Sequence, residues 1–457
     1  MILRAALPAA LASIGWLALG ACDGSSKPAP PSSEREVAAP APWSEAFFLA
    51  EGRRYLSDAA HRRESMRASL RNPENLYSRT RIGSYGLGDR GWDRLPAWNP
   101  VGRTLSSADR SALEAGERPS VGERSAPLWN GAQPSTLAGW VELGRRVFFE
   151  YPLRADEHVA FGLTDRELAE RVGLERTADG ETPGVVVFRD VDGRERIGIT
   201  CAVCHTTVAQ GSLVPGRARR RFDYGALQIA HARARGRSLD PDMERRMASW
   251  GPGRADITED DSEDPVAIPD LWGLRHQSAL TQAGTIRHVG PIALALRQET
   301  QLIYANHSRT RPPRELVWAL TTYLYALEPP ARDAPGASDV TRRGQALVGE
   351  HCAECHSNEA GGGRTVLADR VGTHSGLARG VARGTGRYRP AGLVRVADAA
   401  PYFHDGSVAT LDDVLDRRRL DASYDGPLGV RAVPGHEYGL DLDTADRAAI
   451  VAHLGTL

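Results

Sequence analysis

Two copies of one five-residue pattern set the terms on which this chain can fold. They are Cys201-Ala202-Val203-Cys204-His205 and Cys352-Ala353-Glu354-Cys355-His356. C-x-x-C-H is the attachment signature of a c-type haem. Two thiols three positions apart on a helical turn reach the two vinyl groups of one haem, and the next residue turns its imidazole to the iron. A peptide tied in this way must fold around a large apolar disc. The cysteine arithmetic closes: of five cysteines, four belong to the motifs and the fifth, Cys22, belongs to the N-terminal segment. Two rivals use the same spacing. Four cysteines can make one zinc site, and a C-x-x-C pair can be a thioredoxin-like redox couple. The zinc reading makes each histidine a coincidence. The redox reading wants a βαβ setting, which the flanking sequence lacks.

The rest of the composition is that of a soluble globular chain, with 457 residues, 41% hydrophobic, 25% charged and a net charge of −1. The length suits two or three domains. No basic excess points to nucleic acid. Lys27 is the sole lysine, as codon bias in a GC-rich genome would produce. Residues 1–21 read as a signal peptide: Arg4 supplies the positive end, and the apolar run 5–20 is too short for a comfortable membrane span. Leu19-Gly20-Ala21-Cys22 resembles the lipobox of bacterial lipoproteins. That resemblance implies lipidation of Cys22 and anchorage to a bacterial membrane, with the protein facing the periplasm. Asp23 resembles an inner-membrane retention signal. The alternative is an ordinary cleaved signal peptide. Both readings export the chain, as attachment of a c-type haem outside the cytoplasm requires, and no thiols remain for structural disulfides.

Residues 22–42, rich in Pro, Ser and Ala, read as a disordered tether. Residues 43–136 form an N-terminal extension with Trp43, Trp92, Trp98 and Trp129. A helix is predicted from about Ser44 to Leu70, and Arg79 to Arg103 reads as loop. A first haem domain spans 137–330. Glu142 to Phe149 has helical spacing, and Thr164-Asp165-Arg166-Glu167 is a capping box. Val185 to Phe188 and Arg194 to Ile199 flank Asp192-Gly193, a hairpin signal that delivers the chain to Cys201. The acidic run Asp256 to Asp264 is a candidate calcium site or a solvated loop. A helix from Arg314 to Leu327, stopped by Pro329-Pro330, closes the domain. The second domain, 336–457, repeats the plan: a helix from about Ser338 enters Cys352, and a helix from Thr444 to Leu454 ends it. The expected fold is mainly α. Two cytochrome c-like haem domains carry loop excursions and a short β-hairpin, preceded by the extension. The pattern is an internal duplication of long period.

Ala400-Pro401-Tyr402-Phe403-His404-Asp405-Gly406-Ser407-Val408-Ala409-Thr410-Leu411 resembles the motif that follows the second haem in the bacterial dihaem cytochrome c peroxidase superfamily. That superfamily includes the MauG-like enzymes and the haem rubber oxygenases. Glu142 to Phe149 resembles the helix that opens the first domain of those proteins. The resemblance covers about residues 137 to 457. It implies two unlike haems: one six-coordinate and electron-carrying, one with an open face. Many family peroxidases ligate the second iron with a methionine at the position of Arg418. A guanidinium has no lone pair to give, and none of the four methionines lies in the second domain. His404 then becomes the candidate second ligand, opposite His356, giving a low-potential bis-His haem. The alternative for His404 is a place at the haem edge. His374, His436 and His453 are rivals.

Matching Gly284 to Gly406 puts Gln282 where His404 stands. An amide is a poor iron ligand, which favours an open first haem, with His276 and His288 placed to close it. The catalytic Gln and Glu of family peroxidases fall at Leu280 and Gly290, neither of which can move a proton. His288 could substitute, and Glu299 lies further on. Trp250 and Trp272 are candidates for an aromatic bridge between haems or for core packing. The function expected is electron transfer to or from a redox partner protein. The alternative is a peroxidase- or oxygenase-like enzyme with the first haem as its site. A third reading is a structural or sensory haem module.

Overall fold

The helices that open and close each repeat pack against each other, and both pairs cross at a glycine. Leu137–Glu150 crosses Arg314–Ala326, and Asp339–His351 crosses Thr444–Leu454. A Cβ on Gly144 would run into the carbonyl oxygen of Ala319 and the Tyr323 side chain. One on Gly344 would meet the equivalent carbonyl of Ala449 and the His453 side chain. Missing side chains let the backbones approach, and the same device appears in both halves. It places His453 in a helix crossing.

Local chemistry fixes where these helices start. Thr136 accepts from the Gly139 amide, Ser338 and Thr341 form a reciprocal capping box, and Asp443 accepts from the Asp446 amide. The first opening helix buries Trp140, Leu143, Gly144, Val147 and Phe148, a stripe of helical period. In this computed structural model residues 40–256, 264–331, 336, 338–358 and 360–457 are described. Residues 41–457 form one compact unit. It is mainly helical, with small sheets. Among the described residues no helix is long and apolar enough to cross a membrane. The signal segment, Cys22, Asp23 and the core of the acidic run, 257–263, lie outside the described residues.

One four-stranded antiparallel sheet has the order β1-β3-β4-β2, with β1 Val101–Thr104, β2 Arg154–Ala155, β3 Val185–Arg189 and β4 Glu195–Ile199. The β3–β4 hairpin turns at Gly193, whose φ is 80°, and pairs Val187 with Ile197. Thr200 N then bonds Gly184 O, and Cys201 follows directly. The expected hairpin is therefore present, each strand within a residue of its predicted bounds.

The extension departs from expectation. The predicted helix Ser44–Leu70 is two helices, Glu45–Ser57 and Ala59–Ser69, broken where Asp58 turns extended. Its carboxylate caps the second helix by accepting from the His61 amide at 2.8 Å, and a residue that caps well interrupts well. The stretch read as loop holds part of the helix Leu76–Ser84 and three of the four residues of β1, which pairs with β3. The predicted capping box resolves to a single cap: Asp165, not Thr164, accepts from the Leu168 amide and starts the helix Arg166–Arg171. Extension and first repeat share one core, in which Tyr55 stacks on Trp318 with ring centroids 5.8 Å apart. Beneath it Glu299, fully buried, accepts from the Tyr55 and Tyr85 hydroxyls, each at 2.6 Å. The Arg314 guanidinium lies 3.2 Å from its other oxygen. A smaller cluster of Leu347, Leu411, Leu415, Ile450 and Leu454 organises the second repeat.

Candidate haem-attachment sites

Each C-x-x-C-H segment is one tight turn. His205 N bonds Cys201 O at 3.2 Å, and His356 N bonds Cys352 O at 2.9 Å. That turn puts residues i and i+3 on one side, so each thiol pair shares a face. All four cysteines are free and half-buried. Gly184, at φ 83°, lies so close under the Val203 backbone that no side chain fits there, which seats the first turn on the hairpin.

The thiols are not activated. Burial pushes Cys201 and Cys204 up to about 11 and raises Cys352 and Cys355 as well. A thioredoxin-like pair needs the opposite shift. Among the described residues no three His, Cys, Asp or Glu side chains converge as a metal cluster, so the cysteine pairs do not assemble the four-cysteine alternative. The histidines, by contrast, are set up as ligands. His205 Nδ1 is 3.1 Å from Pro269 O, and His356 Nδ1 is 2.6 Å from Gly361 O. An imidazole that donates at Nδ1 presents its Nε2 lone pair. Burial holds His205 down to about 4 and lowers His356, which keeps both rings neutral at neutral pH. Two protonated thiols on one face and an oriented neutral imidazole beside them are the donor set a covalently attached haem requires.

The loops that follow the motifs are duplicated in backbone detail. Gly273 and Arg395 are left-handed, and each starts a short 3-10 turn, Leu274–His276 and Val396–Asp398. Thr281 and Phe403 share φ values of 70° and 71°, and Gly284 and Gly406 share 59° and 68°. Leu280 pairs with Ile286 as Tyr402 bridges Val408. Gln282 therefore occupies the place of His404, in the register that matching the glycines predicts.

His404 packs beside Tyr388. Its Nε2 is 3.2 Å from the Tyr388 hydroxyl and the two rings are 4.4 Å apart. Tyr388 also donates to His374 O at 2.6 Å. Burial lowers the His404 pKa, and the charges acting on it are Asp405 and His374. In the first repeat, Gln282 Nε2 is 3.5 Å from Ala267 O. The two flanking histidines are occupied. His276 Nε2 accepts from Arg275 Nε at 2.9 Å. His288 bonds Gln277 O through Nδ1 at 2.6 Å and the Tyr325 hydroxyl through Nε2. Leu280 is buried and Gly290 precedes the helix Pro291–Ala305. Glu299 is taken up by the tyrosines of the extension. Trp250 buries its Nε1 without a hydrogen-bond partner among the described residues, whereas Trp272 donates to Pro215 O at 3.1 Å. Trp272 sits in the segment that runs from Pro269, which holds His205, to Gly273, which lies against Ala360 and Val394 of the second repeat.

Arg418 is exposed and paired with Asp416 at 2.7 Å. The buried residue at this point is its neighbour Arg419, which sequence reasoning passed over. No protein-family model and no curated protein matches the chain. Among solved structures, a MauG-like protein associated with microbial copper homeostasis is similar at 20% identity and a TM-score of 0.31, over 45% of this chain and 78% of that one. Hydrazine synthase of Kuenenia stuttgartiensis is similar at 14% identity and a TM-score of 0.35, over 75% of this chain and 98% of that one. Both are remote likenesses.

Proposed function

We propose that this chain is an exported dihaem c-type cytochrome that carries electrons through two covalently bound haems. One is attached at Cys201 and Cys204 with His205 on iron, the other at Cys352 and Cys355 with His356 on iron. The observation that carries the reading is the recurrence of one thiol–imidazole turn with Nδ1 pinned to a backbone carbonyl. Segments 137–330 and 336–457 are then two cytochrome c-like units, related to the dihaem cytochrome c peroxidase superfamily through Ala400 to Leu411. Haem supplies a one-electron iron couple. The chain supplies thiols, an oriented ligand and apolar walls that tune the potential. Mature protein from cells competent in haem attachment should exceed its polypeptide mass by two haems, and Cys352→Ala with Cys355→Ala by one. A wild-type mass without haem overturns the reading.

A second reading has its own observation. With Gln282 in place of a histidine, and with the nitrogens that His276 and His288 could offer already engaged, the far side of the first haem is free of an imidazole. That arrangement suits peroxidase- or oxygenase-like chemistry at the haem on His205. Carbon monoxide binding to the reduced protein separates the two, since a closed first iron leaves electron transfer alone. The proposal includes anchorage through lipidated Cys22 facing the periplasm, supported by Leu19 to Cys22. Stable anchoring takes more than one acyl chain, which a lipoprotein terminus provides. Cys22→Ser should release the protein from membranes or block its processing.

A further inference from the structure

Resting on the dihaem reading, we infer that the ion pair between Asp270 and Arg220 positions the imidazole of His205 and so sets the reduction potential of the first haem. The histidines on the two attachment turns are oriented by carbonyls of different origin. His356 takes its acceptor, Gly361 O, from five residues further along its own loop. His205 takes Pro269 O from 64 residues away. An acceptor brought from that distance holds a ring still only where something fixes it to the chain that carries the ring.

Residues 216–220 supply that fixing. Gly216 N bonds His205 O at 2.8 Å, and Arg219 N bonds Cys204 O at 2.8 Å, so this strap is tied to the backbone of the attachment turn. On its other side Leu271 N bonds Gly216 O at 2.8 Å. Gly216, at φ 84°, lies under the Trp272 ring, where a Cβ would come within 2.7 Å of Nε1, so no side chain separates the two segments. Asp270, the residue after Pro269, joins them. Its Oδ1 accepts from the Ala218 amide at 2.8 Å, and its Oδ2 accepts from Arg220 Nη2 at 2.8 Å. One carboxylate thus locks the segment that carries the Pro269 carbonyl to the strap that holds His205.

Arg220 is itself held on every side. Its Nε donates to Ala399 O at 3.2 Å and its Nη1 to Ala218 O at 3.4 Å. The Arg220 and Asp270 side chains are 18% and 12% exposed. A pair this far from water, with both carboxylate oxygens and all three guanidinium nitrogens engaged, is costly to halve. Ala399 belongs to the second repeat, so the brace on the first histidine rests on the other half of the molecule. Neither side chain is a ligand; both are positioning residues that act through one carbonyl. An imidazole whose Nδ1–H is held by an acceptor is the stronger donor at Nε2, and a stronger donor favours ferric iron. Loss of the brace frees the Pro269 carbonyl, weakens that hydrogen bond and raises the potential of the first haem.

The test uses purified holoprotein, with both haems verified by mass, and reads the two reduction potentials by spectroelectrochemical titration. The potential that survives when Cys352 and Cys355 are both replaced by Ala identifies the first haem. Asp270→Ala should raise that potential, changing the reduced-to-oxidised ratio at a fixed potential by roughly tenfold, and leave the second in place. Asp270→Asn keeps an acceptor for the Ala218 amide and should give a smaller rise. Removing a negative charge would also raise the potential, so Arg220→Met decides between position and charge. Loss of a cation alone lowers the potential, whereas loss of the brace raises it. A lowered or unchanged first potential in Arg220→Met overturns the inference. So do equal rises in Asp270→Asn and Asp270→Ala, and a shift shared by both haems or confined to the second. If Asp270→Ala yields no holoprotein, Asp270→Asn and Arg220→Met carry the test. Wild-type protein without two covalent haems overturns the dihaem reading instead, and mass alone distinguishes that outcome.

Discussion

In the first repeat the chain passes from its glycine loop into a fifteen-residue helix, Pro291–Ala305, and reaches the closing helix through 306–313. In the second repeat the same loop leads to a four-residue turn, Leu411–Val414, and the chain then wanders through 415–443 before it closes. The short connection carries only His307, which is exposed. The long one carries His436 and Arg419, which donates to its carbonyl. The two glycine loops match closely in backbone angle and differ in side chain at Gln282 and His404. The repeats also differ in the length of chain between that loop and the closing helix.

The largest expected effect tests the shared skeleton. Gly144→Leu should abolish folded protein, because the crossing it blocks lies in the main core. Gly344→Leu should cost about 3 kcal/mol or more through overpacking and lose the second haem's spectrum while the first survives. Loss of both would show that the repeats fold as one unit. Next comes the asymmetry itself: reduced wild-type protein is expected to bind one carbon monoxide per chain, measured by titration. Two or none would break the comparison. Smaller again is Tyr85→Phe, which removes one hydrogen bond to buried Glu299 and should lower stability by about 1–3 kcal/mol in denaturant melts, with the second haem's spin state unchanged.

The smallest effect is in acid. Arg103 holds the Asp109 carboxyl down at about 2, and Arg418 does the same to Asp416, against an ordinary value of 3.8. Folded-state values below the unfolded ones stabilise the protein above pH 3.8 and cease to do so as pH falls toward 2. Asp109→Asn and Asp416→Asn should each make the acid limb of the stability profile shallower. Solvent screening keeps the Asp416 effect the lesser.

What could be read from the sequence followed the range of the interactions. The Thr444–Leu454 helix coincides with its predicted bounds, and Arg314–Ala326 differs by one residue, because apolar period and caps are local signals. The C-x-x-C-H turns were legible for the same reason. The break at Asp58 was not, since Asp58 is acceptable inside a helix until its carboxylate is seen to cap the next one. Strand β1 was hidden because its pairing partner, β3, lies more than eighty positions on. The buried Arg419 was hidden as well, since it touches Val414, Phe403 and Val433 together. A single arginine in Arg417-Arg418-Arg419 gives no sign of which one turns inward.

The clasp of Glu299 by Tyr55 and Tyr85 bears on the modularity of the gene. A fully buried carboxylate is satisfied by two hydroxyls encoded upstream of the duplicated part, together with Arg314. Without the extension that anion keeps Arg314 but loses both hydroxyls, and Trp318 loses Tyr55. The extension ties to the trailing copy as well, through Leu76 and Tyr77 to the backbone of Val381 and Ala382 and through Asn72 and Asn75 to Gly384 O.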